Sequence, residues 1–496
     1  MIRAFFADPR GAYAVIMGIL AIPLMLSVGL GVDYARYLRA QAHLQSLADA
    51  ASLAMAASRS PDEASLRKIG DDFIAANSSD KDLDHVRVAS LTGTTEKVDL
   101  TLEATLPTTF MALANIDTMN VHANSLAIRA VSGSVEVSLV LDNTWSMSEM
   151  ADASTTKIAA LKKAASDLVN EVFKDNDAPI KVGLVPYADY VNVGTQNRGA
   201  SWLNIPADYS VTHKGSCQTI TSKQGACLAY APQKTCTSNT DGIISTYQCG
   251  GGCTKYAADV PVTPYQSCSN DYVTNYTWYG CVGSRANGQD PILSDEHPSR
   301  RYPGYLDTSQ HCLNPIVPLT DNKNTLVSAI NNLIINIGGY KPSTYIPAGI
   351  MWGINELSPS APLTEAQAYD PDNVKPRKVM VLMTDGYNTL QFRASDGRHV
   401  GFDANKEADE RAQSNANAAA LCDYAKKRKI EIFSVAFIVS NPTATADDRA
   451  KEDEARALLQ GCAADAQHYY DATNSEALAQ AFSGIAQSLT NVRLAR

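Results

Sequence analysis

The sequence predicts an α/β chain: a mostly parallel sheet covered by helices on both faces, carrying a disulfide-rich insertion, and preceded by one transmembrane helix and a small α+β region. Three observations predict it. Four apolar, β-branched runs of strand length, VEVSLVLD (135–142), IKVGLVPYA (180–188), KVMVLMTD (378–385) and IEIFSVAFIV (430–439), read as strands buried on both faces. Helical stretches alternate with them, the arrangement of a parallel sheet packed on both sides. An uncharged run near the N-terminus and a cluster of cysteines in mid-chain set the rest of the chain apart from that body.

The uncharged run, Ala12 to Val32, is 21 residues long, enough to cross a bilayer core at about 1.5 Å per residue. It exceeds the apolar core of a cleavable signal peptide, so it reads as an anchor. Arginines flank it on both sides (Arg3 and Arg10, then Arg36 and Arg39), so charge alone does not orient it. Residues 1–35 are read as a cytoplasmic tail and transmembrane helix. The next stretch, 33–58, is rich in alanine and leucine without glycine or proline and continues as a long helix with a face of small residues. That face suits either an oligomer contact or the helix's own domain. A charged helix and alternating runs such as VRVASL and KVDLTLEATL complete a small α+β region, giving a unit over 36–131.

Residues 134–195 and 316–496 form the α/β body. In its first helix Ile158, Leu161, Ala165, Leu168 and Val172 recur at three- and four-residue steps and make one apolar stripe. Between the two segments, 196–315 reads as a loop-rich insertion stapled by disulfides. It holds eight of the ten cysteines (Cys217, Cys227, Cys236, Cys249, Cys253, Cys268, Cys281 and Cys312) and ten of the 22 tyrosines. Eight cysteines allow 105 pairings, so the connectivity stays open. The remaining pair, Cys422 and Cys462, is placed to link the helix before the last long strand to the end of the next helix. Even-numbered groups in an anchored chain imply disulfides and an oxidising compartment, which puts the bulk of the chain outside the cytoplasm. Zinc binding at CGGGC (249–253) is the rival reading, but no second knuckle or suitably spaced histidine accompanies it. The tyrosines suit a binding surface or the packing of a module with little aliphatic core.

A net charge of -10 and a pI near 5.3 exclude a nucleic-acid binder, which needs a basic footprint to displace counterions. The one basic run, KKRK (426–429), closes a helix, where cations suit the dipole. Catalysis is not expected either. The chain holds no HExxH, no glycine-flanked nucleophilic serine and no P-loop lysine, and its eight histidines are scattered.

Ligands of such sheets bind at the carboxyl ends of the strands, and two strands here end in aspartate, Asp142 and Asp385. Singly, each is an ordinary turn or capping residue. Together with neighbouring loops they resemble something specific. Asp142, Thr144 and Ser146 match the D-x-[ST]-x-S signature of the von Willebrand factor A domain, a Rossmann-like fold with a metal-ion-dependent adhesion site (MIDAS). STYIPAGIMWG (343–353) resembles its second loop, with Thr344 and the following Gly349, and MTDGYNT (383–389) its third, with Asp385. The resemblance implies Mg2+ (or Ca2+ or Mn2+) held by the hydroxyls of Thr144, Ser146 and Thr344, with Asp142 and Asp385 acting mainly through water. A first shell of neutral oxygens leaves the cation electrophilic, able to recruit a partner's carboxylate. Family members commonly have a small residue where this chain has Trp145, which makes Trp145, with Tyr387, a candidate for ligand contact.

The whole pattern, from RGAYAV through the anchor and VDYARYLRAQAHLQSLADAASLAMAA to the C-terminal body, resembles TadG-like proteins of the tight-adherence (Tad, Flp-type) pilus systems of bacteria. Related minor pilins carry a glutamate five residues after a processing-site glycine. Here Ile16 follows Gly11 at that distance, which favours an anchor. The resemblance implies a non-enzymatic, single-pass inner-membrane protein with its bulk in the periplasm. It would support pilus assembly or adhesion, binding pilus or pilus-assembly components, or a surface ligand offering a carboxylate. The alternative is a purely structural assembly scaffold without a functional metal site.

Overall fold

The computed structural model describes residues 9–58, 62–78, 83–94, 97–128, 134–174, 180–296, 299–373, 375–439, 444–490 and 493–494. They form two compact units, residues 1–133 with 488–496, and residues 134–487.

In the first unit a long helix, α1 (Pro9–Ala57), is followed by α2 (Glu63–Asn77) and three strands, β1 (Asp84–Gly93), β2 (Lys97–Pro107) and β3 (Thr118–Ile128). The strands pair antiparallel in sequence order, and Arg493–Leu494 adds to β3. The alternation read from KVDLTLEATL is the physical reason for β2: Val98, Leu100, Leu102, Ala104 and Leu106 all point inward. Against that face lie Ala40, Leu44, Leu47, Ala48, Ala51 and Met55 of α1, whose small residues allow helix and sheet to approach closely. The alanine-rich face therefore packs on its own domain. Asp62 caps α2 by accepting from the Ser65 amide. Ile16, Met17, Ile19, Leu20, Leu24, Met25, Val28, Leu30 and Val32 of α1 are exposed, and among the described residues this helix is the one long and apolar enough to cross a membrane.

The second unit is built on a six-stranded sheet. Its elements in chain order are β4 (Val135–Asp142), α3 (Lys157–Val172), β5 (Ile180–Tyr187), β6 (Val317–Thr320), α4 (Lys323–Asn331), α5 (Ile346–Leu357), β7 (Arg377–Thr384), α6 (Glu407–Lys427), β8 (Glu431–Ala436), α7 (Ala446–Cys462), β9 (Tyr469–Asp471) and α8 (Ser475–Thr490). The strand order is β6-β5-β4-β7-β8-β9. All neighbours pair parallel except β6, which runs antiparallel at one edge. Every residue of β4 and β7 is buried, as near-continuous apolar runs require of strands covered on both faces. Sequence reasoning did not single out β6: four residues, VPLT, are too few to show a period.

One ion pair is fully inside this core. Glu136 at the start of β4 faces Lys378 at the start of β7, the two being register partners, with Lys378 Nζ 2.6 Å from Glu136 Oε2. At the far edge His468, half-buried, bonds to Glu431 and Asp465, a packing role for that histidine.

The insertion was expected to be loop-rich, and the structure folds it instead mainly into antiparallel strand pairs. Lys234–Thr240 pairs with Ile243–Cys249, Cys217–Lys223 with Val260–Cys268, and Tyr209–His213 with Tyr272–Val282. Disulfides join Cys217–Cys268, Cys227–Cys253, Cys236–Cys249 and Cys281–Cys312, and Cys422–Cys462 joins α6 to α7. Both sulfurs of CGGGC are thus taken up by disulfides. These strands escaped the sequence because both their faces meet solvent, so no apolar alternation marks them. The aromatics divide by position. Trp278 and Tyr302 at the root join the core beside Trp202 and Trp352, whereas Tyr209, Tyr230, Tyr247, Tyr256, Tyr265 and Tyr272 are exposed on the strand pairs.

Candidate functional site

Adjacent parallel strands deliver the two sequence-predicted aspartates to one place. β4 ends at Asp142, and Asp385 directly follows β7 beside it. The chain after Asp142 then turns tightly, because its carboxylate accepts from the amide and hydroxyl of Thr144 (2.9 and 2.6 Å). A short 3-10 turn, Trp145–Ser148, aims Ser146 back at Asp385, its hydroxyl donating at 2.8 Å. Thr344 precedes α5, whose first amide is capped by Asn388 (2.8 Å), tying the second loop to the third. Asp142, Thr144, Ser146, Thr344 and Asp385 are all buried.

Three side chains complete the cluster without having been singled out from the sequence. Asp241, at the turn of the Lys234–Cys249 hairpin, accepts from the Thr344 hydroxyl (2.8 Å), the Ser146 amide (3.0 Å) and the Thr389 hydroxyl (3.2 Å). Lys157, at the start of α3, lies 3.0 Å from Asp385 and 2.8 Å from Glu149. Burial works against its charge, but the two carboxylates outweigh that and raise its pKa, so the ammonium stays protonated. Thr384 donates to the far oxygen of Asp142 (2.6 Å).

The hydroxyls have a common polarity. Thr144 donates to Asp142, Ser146 to Asp385 and Thr344 to Asp241. Each proton is committed to a different carboxylate, which leaves oxygen lone pairs for an electrophile. Adjacent ligands of an octahedral Mg2+ with bonds of about 2.0–2.1 Å lie about 2.8–3.0 Å apart, and Thr144 Oγ1 and Ser146 Oγ are 2.9 Å apart. The donor set therefore fits a small, hard cation held mainly by hydroxyls. No group of three or more His, Cys, Asp or Glu side chains placed to hold a metal occurs among the described residues. Burial first, and then the Asp385 charge, push the Asp142 pKa up to about 7. Burial likewise raises that of Asp241.

A cavity of about 280 Å³ opens beside the cluster, lined by Ser146, Asp241, Thr344, Asp385 and Tyr387 among others. Tyr387 thus borders the site. The Trp145 indole does not line it and instead lies under Lys341, whose Nζ is 4.2 Å from the ring centroid. Gly349, in α5, allows Tyr187 to pass: a Cβ there would come 2.6 Å from the ring, whose hydroxyl lies 3.4 Å from Asp142. We expect Gly349→Ala to cost about 1–3 kcal/mol, read as a lowered urea midpoint at unchanged slope. A loss under about 0.5 kcal/mol, the range of an uninvolved surface change, would contradict this packing.

Residues 11–59 match the model of the Flp pilus-assembly TadE/G-like family (Tad), so the chain opens with a TadE/G-like segment. No curated protein matches the chain. Pilus and matrix proteins are among the solved structures that resemble it. The pilus adhesin SpaC from Lactobacillus rhamnosus GG aligns at 10% identity and TM-score 0.34 over 82% of this chain and 35% of its own. This chain therefore spans little more than a third of that adhesin. The vWF domain of the type V pili tip protein Mfa5 from Porphyromonas gingivalis aligns at 11% and 0.34, over 72% and 95% of the two chains. Proximal thread matrix protein 1 from the mussel byssus, solved with a zinc-occupied MIDAS motif, aligns at 10% and 0.29, over 72% and 48%.

Proposed function

We propose, with the TadE/G-like segment as premise, that this is a non-enzymatic, single-pass inner-membrane protein whose von Willebrand A-type domain lies in the periplasm and supports Tad (Flp) pilus assembly or adhesion. Residues 12–32 anchor it. Its partner is a protein, a pilus or assembly component or a surface ligand that offers a carboxylate. The observation that carries the reading is the shared polarity of Thr144, Ser146 and Thr344, each donating its proton to a separate carboxylate.

Mg2+, or Ca2+ or Mn2+ in its place, would be held by those three hydroxyls and would supply positive charge for a partner's carboxylate. This chain's own residues prepare that charge. Asp142 and Asp385 orient the hydroxyls and hold them polarised, while Lys157 offsets the Asp385 charge, so the cation is not neutralised by its own site. Tyr387 forms part of the wall against which a ligand packs.

The test is a pull-down with the full-length protein from oxidised membranes, in Mg2+ and then in chelator. A pilus-system protein is expected to be retained in Mg2+ and released by chelator. Retention that ignores both chelator and Thr344→Ala would leave a structural scaffold as the reading.

A further inference from the structure

We infer that Asp241 is a chain-internal ligand that occupies the partner's position at the site, so that the 234–249 hairpin must withdraw before an outside carboxylate can enter. The inference rests on the cation-site reading. The hairpin pairs without interruption from Lys234↔Cys249 to Thr240↔Ile243, with the Cys236–Cys249 disulfide between its strands. Its turn is two residues, Asp241 and Gly242, both at positive φ (53° and 81°), the conformation Asp-Gly favours in a tight hairpin. Ile244 and Tyr247 are each 53% exposed, yet Asp241 at the tip is only 7% exposed. A protruding hairpin that buries one carboxylate at its tip needs compensation at that spot. The compensation comes from the site itself, the Ser146 amide and the Thr344 hydroxyl, together with Thr389. Gly242 lies beside Tyr387: a Cβ added there would come 3.4 Å from its hydroxyl. A carboxylate resting on two of the site's polar groups is the chemistry expected of a bound partner, here supplied in cis.

The test uses the full-length protein with disulfides intact, Mn2+ as the cation and glutarate as the carboxylate probe. Asp241→Asn keeps the turn, since Asn-Gly suits it equally, and Asp241→Ala removes the acceptor. In both variants bound Mn2+ is expected to gain about one exchangeable inner-sphere water by relaxation measurement. Glutarate is expected to bind about tenfold tighter or more, because the competent state is no longer masked. Unchanged hydration and unchanged glutarate affinity in both variants overturn the internal ligand while leaving the cation site standing. Failure of the wild-type chain to bind Mn2+ overturns both.

Independently, the geometry points to the 108–117 loop of the first unit as a contact with the membrane surface. Phe110, Leu113 and Ile116 are 38%, 77% and 43% exposed, an apolar patch with no cover. Phe110 packs on Gly29, inside the apolar run of α1, where a Cβ would meet its ring carbons at 2.6 and 2.9 Å. Gly29 lies about 4.5 Å inside the end of that run at Val32, the depth of the headgroup boundary. Asp33 holds the loop there by accepting from the amides of Thr109, Phe110 and Met111 at 3.1, 2.8 and 2.8 Å. In phosphatidylcholine vesicles the added fluorescence of Leu113→Trp should be quenched by lipids brominated near the headgroup, and that of Leu20→Trp by bromines near the bilayer centre. Quenching of Leu20→Trp without Leu113→Trp overturns the loop contact, and absence of both overturns the anchor.

Discussion

Alanine at Asp142 or Thr344 is expected to cut by about half or more the thermal stabilisation that Mg2+ is proposed to give the wild-type protein. A cation at a hundred times its Kd adds about 2.7 kcal/mol to stability. Thr344→Ala deletes a hydroxyl proposed to bind the cation. Asp142→Ala deletes the acceptor that orients Thr144 and receives the Thr384 hydroxyl, and loss of such a supporting group costs about 10–100-fold in affinity. Scanning fluorimetry with and without Mg2+, backed by calorimetric titration, measures both. The effect should also depend on pH in a stated direction. With the Asp142 pKa raised to about 7, the cation-free folded state holds a proton that the unfolded state has lost above about 4. Without cation, that residue's contribution to stability therefore falls as pH rises from about 4 to about 7 and is flat beyond. Cation binding must displace the proton, so affinity should rise with pH up to about 7 and then level. A Mg2+ stabilisation that is the same at pH 5.5 and pH 8, or that survives both alanines, would falsify this site.

Lys378→Met should be the most damaging single change away from the cluster. Lys378 is 1% exposed, and its ammonium bonds to Glu136, to the Leu357 carbonyl (2.8 Å) and to the Gln367 carbonyl (2.7 Å). Burial pulls its pKa down, and Glu136 is the counterweight. Removing the lysine leaves the buried Glu136 charge without its cation, with the Gln367 amide still bonded to its other oxygen at 2.8 Å, and takes a donor from two carbonyls; broken buried pairs cost about 3–5 kcal/mol. The pair joins the first turns of β4 and β7, the strands that carry Asp142 and Asp385 at their other ends, so cation affinity should weaken as well. Glu136→Gln keeps an acceptor for the ammonium and should cost less. Denaturant unfolding settles the order, and a loss below about 1 kcal/mol in Lys378→Met would show that the core tolerates the vacancy.

Much of this was legible because it is local. Strands buried on both faces are continuous apolar runs, an anchor is an uncharged run of bilayer length, and an Asp-x-Thr-x-Ser turn closes on itself through Asp142 and the Thr144 amide two residues on. The strand-end rule for parallel sheets brought Asp142 and Asp385 together, whereas Thr144, Ser146 and Thr344 joined them only through the resemblance of three loops to the von Willebrand factor A signature. Trp145 shows the limit of this reasoning: its neighbours in sequence belong to the cluster, but its ring rests under Lys341.

What the sequence by itself determined is the alternation of elements, the even-numbered cysteine groups that the disulfides pair, and the residue types at three strand-end loops. Only the tertiary structure decided what fills the space between those loops. Lys157 reaches Asp385 across 228 residues and Asp241 reaches Ser146 and Thr344 across 95 and 103. Periodicity reports which face of an element is buried and nothing about which distant turn it meets. A TDGI turn on a solvent-exposed hairpin carries no local sign that its carboxylate ends up inside the site, because the groups that stabilise it there are contributed by other loops.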